Sequence, residues 1–281
     1  MQLTFRHIRI LILTLILIYV ASDYYWGVQR TTSWQAPLNV VIYPINGDGS
    51  AASATMIQQL SVDDFAEVND FLVKQAEYYG LILNQPLIFH LSQELNEKPP
   101  TLPKQESIPN AIVWSLQMRW WAWKIHTFFE SGIDSQIRPD VRLFVEYHRE
   151  DSAEAYHSVG LQKGRLGIVK NYANRALIGR NNMILTHEFL HTVGAMDKYF
   201  SDNLLPIFPV GYADPYDNPR YPQTRAELMG GRIAVNESTA YVPESLELCM
   251  IGETTAKEIG WLRAIAKQRK ENPLTTQVVA Q

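Results

Sequence analysis

Six residues, Thr186-His187-Glu188-Phe189-Leu190-His191, constrain this chain more than any others. The two histidines stand four apart, so they share a face only if the segment is an α-helix, where positions i and i+4 lie about one turn from each other. From that face both imidazoles can reach one metal ion, and neutral imidazole nitrogen is an accepted donor for zinc. Glu188 follows the first histidine and projects beside the same point, where it can take a proton from water and pass it on. Ile184, Leu185, Phe189 and Leu190 fill the remaining faces. A helix that is apolar wherever it is not chemically committed is a buried helix, so the rest of the chain must supply layers to cover it.

Three residues beyond His191 stands Gly194, and three further on stands Asp197. A glycine just past the last helical turn can adopt the left-handed conformation that ends the helix and turns the chain back. That reversal would bring Asp197 toward the histidines as a third protein ligand, with water as the fourth. Glu227, Glu253 and Glu258 are the other carboxylates that could take the third position.

The pattern His187, Glu188, His191, Gly194, Asp197 resembles the metzincin-like zinc peptidases, and most closely the immune inhibitor A family of bacterial metallopeptidases. The likeness runs from about residue 182 to 262. Lys198-Tyr199 stands where the family has an acidic or polar residue followed by Tyr. Leu228-Met229-Gly230-Gly231 is similar to its methionine-containing turn under the zinc, and Ala256-Lys257-Glu258-Ile259-Gly260-Trp261 to its helix ending in Gly-Trp. The resemblance implies an α+β, zincin-like fold: a mixed twisted sheet, an active-site helix and a loop-rich C-terminal subdomain. It implies zinc on His187, His191 and Asp197, Glu188 as general base, Gly194 and Met229 in support, and a protein or peptide substrate laid along an edge strand. The competing reading keeps the fold but makes the chain a non-catalytic exported binding protein stapled by structural zinc.

Elsewhere the residues are less specific. Tyr199, Tyr212, Tyr216 and Tyr241 could each offer a hydroxyl to a developing oxyanion, with Tyr199 the choice nearest a ligand. Asp202, Asn203, Asp214, Asp217 and Asn218 bring enough oxygen donors into one long loop to hold Ca2+, although solvated loop residues explain them equally well. His157 falls on a strand before the active-site helix and reads as a strand residue, and His90, His126 and His148 have no spacing partner. The single cysteine, Cys249, excludes an intrachain disulfide and a thiolate zinc cluster.

At the N-terminus, Arg6, His7 and Arg9 precede an apolar run from Ile10 to Ala21. That run is shorter than the roughly 20 residues of a full span, which suits a signal peptide over residues 1–22 cut after Ser22. Tyr24, Tyr25 and Trp26 could instead sit at a membrane interface and extend the segment into an uncleaved inner-membrane anchor. Either way the body of the chain is expected outside the cytoplasm, periplasmic or extracellular.

The remainder divides into a polar linker over 23–36, a folded domain over 37–265 and a polar tail over 266–281. Strands are expected at 38–43, ended by Pro44, and at 87–91, 141–147, 155–161 and 165–169, with the last two as candidate edge strands. Helices are expected from Ser61 to Gly80, from 182 to 193 and from 253 to 260. Between Asn110 and Gly132, Trp114, Met118, Trp121, Ile125 and Phe128 recur at helical spacing, a core stripe that Trp120, Trp123 and Phe129 broaden. A net charge of −4 with no long basic run leaves nucleic acid without an electrostatic footprint to bind.

Overall fold

The structure is a computed structural model that describes residues 5–101, 107–128, 137–151, 159–161 and 165–271. Its centre is a five-stranded sheet made of β1 (Leu38–Asn46), β2 (Leu87–Leu91), β3 (Val141–His148), β4 (Val159–Leu161) and β5 (Leu166–Tyr172). The strand order is β2-β1-β3-β5-β4, parallel throughout except that β4 runs antiparallel to β5 at the edge. Parallel strands need both faces covered, and β1 and β3 are accordingly apolar along almost their whole length. The strand alternation sorts these residues cleanly. Val40, Ile42, Leu143, Val145 and Val169 face one core, whereas Val41, Tyr43, Ile45, Phe144 and Ile168 face the other.

On the first face lie α2 (Ala51–Gln58), α3 (Ala66–Tyr78) and α5 (Ile178–Thr192), the last carrying the two histidines. The second face is covered by α4 (Ile108–Phe128), whose Trp114, Met118, Trp121 and Ile125 are buried as their spacing predicts. The opposite side of α4 is not core. Ile112, Val113, Leu116, Trp120 and Trp123 are exposed, so the broader stripe expected from Trp120 and Trp123 does not close over. Phe129 and the end of that expected helix lie outside the described residues, as do His157 and positions 155–158 of the expected edge strand.

Three boundaries differ from the sequence reading. The first strand does not stop at Pro44 but continues to Asn46. Proline is tolerated there because the carbonyls of Ile42 and Pro44 both point toward the β2 side, receiving the amides of Ser92 and Leu95. The missing N–H of Pro44 points the same way, beyond the last β2 pairing at Leu91, and the β3 ladder loses nothing. Residues 23–36 are not a linker: α1 runs unbroken from Phe5 to Thr32. Gly27, Thr31 and Thr32 are buried at its foot, and Trp34 packs edge-on against Phe189 and Trp261, 6.5 and 5.9 Å between ring centroids. The C-terminal tail likewise begins later than expected. After α6 (Glu253–Glu258), α7 spans Trp261–Glu271 and buries Trp261, Ala264 and Ile265.

Between α5 and α6 the chain is mostly turns and loops. Its regular pieces among the described residues are short: the strand pairs β6 (Ala226–Glu227) with β9 (Cys249–Met250) and β7 (Ile233–Ala234) with β8 (Ala240–Tyr241), and 3₁₀ turns at Leu228–Gly230 and Leu246–Leu248. The molecule is therefore a mixed α/β protein with a mainly parallel sheet and a loop-rich C-terminal part.

Candidate metal centre

Helix α5 begins four residues before the expected start and ends where glycine permits. Val193 is its last turn's cap, and Gly194 has φ 120, a value that L side chains rarely adopt. The amide of Ala195 donates to Leu190 O at 3.0 Å and that of Gly194 to His191 O at 3.2 Å, the paired bonds of a Schellman ending. The chain is thereby reversed, and Asp197 returns over the exposed side of the two histidines.

Three atoms then converge. His187 Nε2 lies 3.2 Å from His191 Nε2 and 3.2 Å from Asp197 Oδ1, and His191 Nε2 lies 3.1 Å from the same carboxylate oxygen. Tetrahedral bonds of ~2.0–2.1 Å would set such donors ~3.3–3.4 Å apart, so this triangle has the size of a zinc site's face. Among the described residues no other group of three imidazole, thiol or carboxylate ligands comes together.

The outer nitrogens decide what the inner ones can do. His187 Nδ1 is 2.9 Å from Leu228 O, and His191 Nδ1 is 2.9 Å from Ala195 O. A carbonyl oxygen can only accept, so each Nδ1 carries a proton and each neutral ring presents a bare lone pair at Nε2. Two lone pairs and a carboxylate oxygen facing one another repel unless a cation joins them. Without a metal, a proton fills that part. Burial pulls the His187 imidazolium down, but the hydrogen bond it donates to Asp197 and the charges of Glu188 and Asp197 outweigh it, and its pKa is pushed up to about 9. Asp197 moves the other way: burial raises it, yet its bonds to His187 and His191 hold it well below the usual carboxylate range.

Glu188 is 5% exposed, and its Oε2 is buried without a hydrogen-bond partner. Burial raises its pKa, against the lowering influence of His187 and His191. Asp197, whose side chain is 43% exposed, faces the open side of the cluster. Tyr199 stacks over His187, 6.3 Å between ring centroids and 29° between planes, and burial and the nearby Asp197 charge raise its hydroxyl pKa. The other candidate tyrosines are elsewhere. Tyr212 OH pairs with Tyr221 OH at 3.0 Å, and Tyr216 and Tyr241 are exposed.

Two of the remaining candidate carboxylates, Glu258 and Glu227, are committed to structure. Glu258 Oε2 accepts from Lys198 Nζ at 2.7 Å and Met196 N at 3.1 Å, gripping the chain on both sides of Asp197. Glu227, fully buried, accepts three hydrogen bonds of its own, from Gly230 N, Gly252 N and Thr255 Oγ1. Glu253 opens α6 in its first turn. In the long loop, Asp214 is paired with Arg225 at 3.1 Å and Asn203 Oδ1 accepts from Leu205 N, so two of the calcium candidates already have partners. Met229 is fully buried in the turn below the centre, but the group from that turn that touches a ligand is the carbonyl of its neighbour Leu228. Sequence spacing pointed to the three groups that converge; it offered Glu227 and Glu258 only as alternative third ligands and gave no sign of the bonds they make to distant parts of the chain.

Compared with models of known protein families and with curated proteins, the chain matches none.

Proposed function

We propose that this chain is a zinc-dependent peptidase of zincin type, held at a membrane by α1. The observation that carries the reading is the triangle of His187 Nε2, His191 Nε2 and Asp197 Oδ1, with both imidazole protons spent on carbonyls and the orphaned carboxylate of Glu188 in the same field. The donors fit the ion: two neutral imidazoles and one carboxylate are a known catalytic zinc set, and the exposed flank of Asp197 leaves room for a further ligand.

When bound, zinc supplies Lewis acidity, polarising a carbonyl and lowering the pKa of water. The protein's own residues do the rest. Glu188 accepts the proton of the attacking water and delivers it to the leaving amine, a role that its burial-raised pKa favours. Leu228 O and Ala195 O fix the ring orientation of His187 and His191. Tyr199, protonated at any physiological pH, can donate to the oxyanion that develops on the substrate carbonyl. The short edge strand β4 offers one free side to an extended peptide backbone.

Helix α1 supports anchoring rather than removal of the N-terminus. Its most apolar window has mean hydropathy 1.8 and no buried residue, and 28 helical residues at ~1.5 Å each exceed the ~30 Å hydrocarbon core. A cut after Ser22 would fall inside the helix and leave its docked foot behind. The basic flank at Arg6 and Arg9 then stays cytoplasmic, and the domain is exported.

The test is hydrolysis of unfolded casein by the full chain in detergent. Activity should vanish with a chelator and return with zinc. Glu188→Gln should lower it by roughly 10²–10⁴-fold, the usual worth of a general base, while zinc content stays at about one per chain. A Glu188→Gln protein as active as the parent defeats the peptidase reading and leaves a zinc-stapled binding protein.

A further inference from the structure

Glu227 is the most deeply buried carboxylate described, and nothing in the proposed chemistry uses it. Its two oxygens face different parts of the chain. Oε2 accepts from Gly230 N at 2.8 Å, closing the 3₁₀ turn Leu228–Gly230 from its own N-cap position. Oε1 accepts from Gly252 N at 3.1 Å and Thr255 Oγ1 at 2.6 Å, at the start of α6. Gly252 fits this closeness, since a β-carbon there would stand 3.0 Å from Glu227 Cγ.

The turn that Glu227 closes touches the metal centre twice. Leu228 O receives the Nδ1 proton of His187 at 2.9 Å, and Met229 O receives the amide of Lys198, the residue after Asp197, at 2.8 Å. One three-residue turn thus aims one ligand and places the chain of another. What fixes that turn fixes both.

From this geometry we propose that Glu227 is a positioning residue of the centre, locking the Leu228–Gly230 turn against α6 so that His187 and Asp197 keep their distance from each other. The inference rests on the metal reading above. A carboxylate is required by donor arithmetic. Three donors arrive and none leaves, which two acceptor oxygens can satisfy. Glutamine keeps the shape but has one acceptor oxygen, and its NH2 would face either Gly230 N–H or the Gly252 and Thr255 donors. A carboxyl group with no exposure is costly to bury unless its bonds are complete, and here all three donors are met.

The experiment uses the full chain in detergent with cobalt(II) as the metal, its visible spectrum reporting the ligand field and chelator competition giving the affinity. E227Q should weaken cobalt and zinc binding by about 10–100-fold, the range for loss of an outer-shell partner, and should alter the cobalt spectrum. T255V, which removes one of the three bonds and leaves the carboxylate, should shift the spectrum the same way with a smaller loss of affinity. A folded E227Q protein that melts earlier but keeps the parent's affinity and spectrum would make Glu227 a purely structural residue and overturn the proposal. Should E227Q fail to fold, T255V decides: a few-fold loss with a spectral shift supports the role, and parental behaviour overturns it. Absence of metal uptake by the parent chain is a different result, which removes the metal centre itself and this inference with it.

Discussion

Helices α4 and α5 cover opposite faces of one sheet and dispose of their polar groups in opposite ways. α4 buries Trp114, Met118, Trp121, Ala122 and Ile125, and none of the buried polar side chains among the described residues belongs to it. α5 buries Asn181, Asn182, Thr186, His187, Glu188 and Thr192 along one element. Most of these are answered by particular groups: Asn181 binds both backbone atoms of Tyr172, Thr186 returns to Asn182 O, and Asn182 reaches Asp64 O. The one helix is held by area, which many apolar sequences could supply. The other is held by addressed hydrogen bonds, yet three of its buried atoms, Arg180 Nε, Asn182 Oδ1 and Glu188 Oε2, remain unanswered, against one on α4, Trp121 Nε1. Burial without a partner costs free energy, so at Glu188 the fold gives up stability at the residue proposed as general base.

That contrast can be broken from either side. On the α5 side, Asp197→Ala removes a charged donor and leaves two imidazoles. Zinc affinity should fall by more than the ~10–100-fold typical of losing an outer-shell partner, and the metal-free protein should also melt earlier at neutral pH, because Asp197 holds the charged His187. Isothermal titration reads the first and calorimetry the second; undiminished zinc binding would move the third ligand elsewhere. On the α4 side, Trp121→Ala empties a site 3% exposed whose ring meets Phe144 at 4.6 Å. It should cost ~3–5 kcal/mol in denaturant unfolding and leave zinc stoichiometry intact, so metal loss at native conditions would mean the two faces are not independent.

A subtler effect concerns protons. In the metal-free protein His187 is charged at pH 7, because its pKa is raised to about 9. The sign follows directly. This raised pKa contributes stability fully below about 6.5 and loses it as pH climbs through about 9. Zinc must displace that proton, so binding at pH 7 should release about one proton per chain, measured by titration in buffers of different ionisation enthalpy. Release of none would mean the empty site is already neutral. The smallest effect belongs to the outer face of α4: Leu116→Gln, at a position 62% exposed, should change stability by no more than ~0.5 kcal/mol.

The sequence was most readable where periodicity or short-range chemistry did the specifying. Apolar and alternating runs located β1, β3 and β5, helical spacing located the inner face of α4, and the interval from His187 to Asp197 located the three groups that converge. Gly194 was legible because a left-handed helix ending has a local cause. What escaped depended on contacts made far along the chain. Pro44 ends a strand in isolation, and only the early finish of β2 lets it stay inside one. Residues 23–36 look like a tether by composition, and only the cavity formed by Phe189 and Trp261 turns Trp34 into core. Glu227 and Glu258 were legible as carboxylates near a metal motif, but not as residues already occupied.

The docked foot of α1 has a mechanical meaning. Trp34 donates its indole N–H to Ile259 O at 2.7 Å, and only a few residues separate the end of the helix from the first strand. A protease on a slack leash can sweep a volume and meet substrates at many heights above a bilayer. On the proposed reading α1 is a post rather than a leash, so the candidate centre would stand at one height above the bilayer, and a substrate would have to present its scissile segment at that level. Lengthening the exposed part of α1 by whole helical turns, above the foot that Trp34 docks, would then change which segments of a membrane-borne substrate are reached and leave the candidate centre untouched.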